Sequence, residues 1–131
     1  MNGRSMNGHL AILEEESLAR PWLAARLGVP SARVDRMRRA GELFGVRPPG
    51  RFEHLYPAWQ FNGDGKPLPS LSRILGAARD AGLDDVELYQ VMRRRSGLTG
   101  QRTLVDVLRD GGEEHVLRAV RAAANGNGNA R

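Results

Sequence analysis

Apolar positions recur at helical spacing along most of this chain, and two stretches rich in proline and glycine break the pattern. A short helix is expected at 10–17. In RPWLAARLG, Leu23 and Leu27 stand i, i+4, Pro21 suits a first turn, and Gly28 suits a helix end. After a turn through Val29 and Pro30, SARVDRMRRAG predicts a second helix from Ser31 to Gly41, with Val34 and Met37 as its apolar face and Leu43 just beyond. At about 100° per residue, Ala32, Asp35, Arg36 and Arg39 point broadly away from that face, with Arg33 on the flank.

The period then changes. ELFGVRPPGRFEHLYPAW carries apolar or aromatic residues on both sides of Pro48-Pro49-Gly50, which cannot continue a helix. A β-hairpin is predicted, 43–47 paired with 51–56. Asp64-Gly65 and Lys66-Pro67 mark the main internal loop. Beyond it the pattern is helical again. Leu71, Ile74, Leu75 and Ala78 share one face, and Asp84 precedes a helix containing Val86, Leu88, Tyr89 and Met92. Thr103 caps a helix presenting Leu104, Val107 and Leu108 that ends at Gly111-Gly112. The last helix opens on Glu113-Glu114, buries Val116, Leu117 and Val120, and carries its arginines later, a charge order that suits the helix dipole. The predicted fold class is mainly α: a winged helix-turn-helix with a small β-hairpin at 10–61, then a C-terminal helical bundle at 69–124. Residues 1–9 and 125–131 read as flexible ends.

Composition narrows the function more than the fold. No apolar run approaches the roughly 18 residues of a membrane span, and glutamates interrupt the N-terminal stretch where a signal peptide would be apolar. With no cysteine, disulfides and thiol chemistry are excluded, which fits a cytoplasmic protein. His9, His54 and His115 show no metal-ligand spacing. The chain carries no GxSxG, Asp84 and Asp85 are adjacent and point to different sides of a helix, and GDGKP lacks phosphate-loop spacing. No enzyme, cofactor or metal site is expected.

Charge adds a partner. The net charge is +5, placed unevenly. Residues 31–51 hold Arg33, Arg36, Arg38, Arg39, Arg47 and Arg51 against Asp35 and Glu42, and residues 93–131 are also basic, around an acidic middle. Basic clusters attract phosphate backbones, so double-stranded DNA is the leading partner. The six arginines of 31–51 are the candidate DNA-binding set, with Arg47 and Arg51 flanking the hairpin tip. Lys66 is the only lysine, so part of the arginine content is a compositional bias.

LYPAWQF concentrates Tyr56, Trp59 and Phe61 in a chain poor in aromatics. Stacking on bases needs basic residues interleaved with the rings, and none lies between Glu53 and Phe61. The expected role is structural, a wedge between the hairpin and the C-terminal helices.

WLAARLGVPSARVDRMRRAGELFGVR resembles the opening of proteins related to the MerR and excisionase groups: a helix, Leu-Gly-Val, a small polar residue, then a helix ending in an Arg-rich stretch and Gly. PAWQF followed by a turn and GKPLP resembles small bacterial helix-turn-helix proteins that continue into an antitoxin-like half. SGLTGQRTLVDVLRDGG resembles the C-terminal segment of the Xre/MbcA/ParS toxin-binding antitoxins, matched at Leu98, Gly100, Arg102, Thr103, Leu108 and Val116. Leu104 stands where that family has Pro, and RRRSG replaces its Asn-bearing stretch. The resemblance implies a homodimerising domain that grips a toxin of the RES class, with the matched Arg102 and Thr103 as candidate partner-binding residues. Arg93, Arg94 and Arg95 join them as candidates, and their run reads equally as a solvated helix end, a phosphate contact or a contact to an acidic partner.

The expectation is therefore a sequence-specific transcriptional regulator, binding as a homodimer, in the form of an antitoxin that represses its own operon. The alternatives are a protein-interaction module and a sequence-independent DNA-coating protein.

Overall fold

A computed structural model of the chain describes residues 10–96 and 101–129. The expected flexible N-terminus and the loop glycines Gly97 and Gly100 lie outside the described residues. The molecule is mainly helical and divides into two compact units, Met1–Ser72 and Arg73–Arg131.

In the first unit, helix α1 (10–16) runs into strand β1 (Ser17–Ala19), which leads directly into α2 (Arg20–Leu27). Pro21 sits in the first turn of α2, and Gly28, at φ 70, ends it. Helix α3 (Ser31–Arg39) follows, then strand β2 (Leu55–Pro57) and one 3-10 turn (Ala58–Gln60). β1 pairs antiparallel with β2, Leu18 opposite Tyr56. β1 was not expected, because three residues between two helices are too short to show a period of two.

The expected hairpin reduces to one bridge. Val46 and Leu55 exchange two hydrogen bonds of 2.8 Å, and the ladder stops on both sides for chemical reasons. Toward the tip, Pro48 and Pro49 have no N–H to donate. Toward the base, the backbone of Phe44 is already occupied. The buried Gln60 side chain accepts from Phe44 N–H through Oε1 at 2.8 Å and donates through Nε2 to Phe44 O at 2.8 Å and Pro57 O at 2.9 Å. One carboxamide thus takes the place of a facing peptide group.

Tyr56, Trp59 and Phe61 each have packing partners in this unit. Tyr56 and Phe61 join Leu23, Ala24, Val34 and Leu43 in one buried cluster, and Trp59 meets Phe44 with ring centroids 5.8 Å apart. Residues 62–67 close on themselves. Phe61 bridges Pro67, and the Asn62 side chain accepts from Asp64 N–H and Lys66 N–H. The boundary between units falls beyond this loop, inside α4 (Leu71–Asp80).

The second unit holds the rest of α4, α5 (Asp85–Met92), the short strands β3 (Arg95–Ser96) and β4 (Arg102–Thr103), α6 (Leu104–Arg109) and α7 (Glu113–Asn129). Most of the apolar positions read from spacing form its core: Ile74, Ala78, Leu88, Tyr89, Met92, Leu104, Val107, Leu108, Val116, Leu117 and Val120 are buried, whereas Leu75 and Val86 are only half-buried. Asp84 and Thr103 each close a capping box, with Glu87 and Asp106 respectively. Helix α7 continues through Asn129, past the expected end at 124.

Candidate nucleic-acid interface

The seat of α3 sets what its surface offers. The Gly28 turn directs the chain back so that α3 packs on α2 through Val34, which is 0% exposed. With Val34 inward, helical geometry turns Arg33, Arg36 and Arg39 outward, over about 120° of the helix surface. All three are exposed, and none has a side-chain hydrogen bond or ion pair among the described residues.

Arg38 belongs elsewhere. It lies only about 40° from Val34 around the helix and is half-buried. Its Nε donates to the Tyr56 hydroxyl at 3.3 Å, and its Nη2 lies 3.7 Å from Asp35. Asp35, expected on the outward face, is turned sideways to Arg20, whose Nη1 donates to it at 2.8 Å. Arg20, Asp35, Arg38 and Tyr56 therefore form a chain of polar contacts tying α3 to the start of α2 and to β2. Burial raises the Tyr56 hydroxyl above its ordinary pKa, against the opposing pull of Arg38. Gly45 permits this approach: a Cβ there would stand 2.8 Å from Arg38 Cδ and 2.9 Å from Tyr56 Cε2.

The tip between Val46 and Leu55 is a type II turn. Arg51 N–H donates to Pro48 O at 3.0 Å, Pro49 takes the first central position, and Gly50, at φ 80, takes the second. Arg47 and Arg51 flank the turn as expected, both exposed, and Arg51 forms an ion pair with Glu14 of α1. Beyond them Phe52 is 95% exposed. In sequence Phe52 reads as an apolar strand position and not as a surface feature. Its place directly after PPG-Arg was the available signal.

The candidate partner residues of the second unit are mostly engaged internally. Thr103 is buried, its hydroxyl accepting from Asp106 N–H at 3.2 Å. Arg102 donates to Asp106 O at 3.0 Å and pairs with Asp110. Arg95 donates to Gln101 O at 2.9 Å, Arg93 caps α5, and Arg94 is exposed. Leu98 and Gly100 lie outside the described residues.

Three outward guanidinium groups on one helix are able to make paired hydrogen bonds to phosphates or to planar acceptor edges. Among the described residues no group of His, Cys, Asp or Glu is placed to hold a metal ion, and no helix is long and apolar enough to cross a membrane.

No family model and no curated protein matches the chain. Among solved structures it is similar to the NMR structure of Rv2175c, with a TM-score of 0.71 and 27% sequence identity over 82% of this chain and 80% of that one.

Proposed function

We propose that the chain is a sequence-specific DNA-binding regulator whose first unit is a winged helix-turn-helix. Helix α3 is the recognition helix and the 47–54 loop is the wing. The observation that carries this reading is the division of labour on α3. Val34 and Arg38 hold the helix in place, while Arg33, Arg36 and Arg39 are exposed and without internal partners. Arginine in that position pairs bidentately with guanine edges or clamps phosphates. The connectivity supports it as well: a strand between the first two helices pairs with the strand that follows the third, and Val46 bridges the far edge of the latter. A single short helix binds weakly, so a homodimer on two half-sites about one helical turn apart is the expected form.

The test is fluorescence anisotropy at near-physiological salt, using the DNA upstream of the chain's own coding sequence and a scrambled duplex. The wild type is expected to bind the upstream duplex preferentially. Arg36→Ala/Arg39→Ala is expected to lose at least about tenfold, since each base contact is worth roughly 1–3 kcal/mol. Equal binding to both duplexes points to sequence-independent coating. No binding to either rejects the DNA reading in favour of a protein partner.

A further inference from the structure

Phe52 is 95% exposed. A lone apolar side chain in water is common and by itself signals nothing. Three features set this one apart. Its backbone is braced on both sides: the type II turn closes at Arg51 N–H to Pro48 O, Val46 is locked to Leu55, and Arg51 is tied to Glu14. Cationic side chains flank the turn, Arg47 on one side and Arg51 immediately before the ring. Most tellingly, Phe52 stands beside α3. With Glu53, His54 and Tyr56 it lines a cleft of about 170 Å³ whose other wall is Arg20, Asp35 and Arg38. The Asp35 side of α3 adjoins Arg39, so the ring lies on the flank of the outward arginine face.

This inference rests on the DNA-binding reading. A duplex whose major groove receives Arg33, Arg36 and Arg39 brings its next minor groove toward the loop on the flank of α3. We infer that Phe52 is an apolar wedge for that minor groove: the ring enters between two base pairs, partly unstacks them and bends the duplex toward the major groove. The braced turn keeps the ring presented before binding, so little ordering is left for the complex. Unstacking is easiest at pyrimidine–purine steps, and such a step is expected at that distance from the contacted bases.

The experiment places a donor and an acceptor dye at the two ends of the upstream duplex and follows energy transfer and anisotropy together. The proteins are wild type, Phe52→Ala and Phe52→Leu. Wild type is expected to raise transfer on binding. Phe52→Ala, which removes only exposed atoms, is expected to keep its circular dichroism, to bind about tenfold more weakly, and to leave transfer near that of free DNA. Phe52→Leu, still an apolar wedge, is expected to retain most of the bend. If Phe52→Ala binds and bends as wild type does, or if bound wild type leaves the duplex straight, the wedge is rejected while the DNA reading stands. If wild type binds no duplex, both fall together.

Discussion

At Gln60 a carboxamide does the work of a strand. It satisfies both backbone groups of Phe44 and the carbonyl of Pro57 in a place closed to water. Leaving a buried donor or acceptor without a partner costs about 1–3 kcal/mol. Gln60→Leu is therefore expected to lower stability by roughly 2–4 kcal/mol, read as the midpoint shift in urea denaturation. Gln60→Glu should fare no better, because an ionised carboxylate accepts from Phe44 N–H but repels both carbonyls. A shift below about 0.5 kcal/mol, the range of ordinary surface changes, would remove this role. Nothing in LYPAWQF marked Gln60, since a polar residue among aromatics reads as exposed until its partners are known. Arg38 is different. Charge groups it with its neighbours, although helical arithmetic alone sets it beside Val34.

Element boundaries follow local chemistry where a cap or a turn is encoded. Thr103 and Asp106 share a capping box at the start of α6. The Asp106 carboxyl is held below its ordinary value of 3.8, chiefly by the backbone N–H of Thr103. A depressed carboxylate contributes stability that is fully present above the unfolded value. That contribution is lost as pH falls through the lower folded one. Asp106→Ala is thus expected to melt below wild type at pH 7, with the gap closing as the pH drops below about 3.8. Thr103→Ala is expected to cost about 1 kcal/mol at neutral pH. Thermal melts across pH check both, and a gap independent of pH would contradict the carboxylate's part. These caps were legible because each needs only residues three apart. β1 and the truncated hairpin were not, because their pairing joins residues about forty and about ten positions apart.

Across the whole molecule, charge is divided between bracing and display. Arg20, Arg38 and Arg51 are paired to Asp35, Tyr56 and Glu14, whereas Arg33, Arg36 and Arg39 are not engaged internally. On the DNA reading this difference is measurable through salt. Each phosphate neutralised by the protein adds about 0.9 to the slope of log affinity against log salt. Removing an arginine of α3 that holds a phosphate is expected to reduce that slope by about 0.9. Arg38→Ala is expected to leave the slope unchanged and to lower the unfolding midpoint instead. Titrations at four salt concentrations would separate the two. A reduced slope for Arg38→Ala at unchanged stability would return it to the interface.

The helices, their caps and the apolar faces of both units follow from residues near one another in the chain. Periodicity and capping depend only on spacings of two to four residues, and the folded chain kept them. Which arginine braces and which is displayed, and why the hairpin stops at one bridge, depend on groups far apart in sequence. Asp35 meets Arg20, Tyr56 meets Arg38, and Gln60 meets Phe44 only once the first unit has folded. Formal charge and residue type are the same before and after folding. Burial and partners are not, and they determine which of these residues is available to bind.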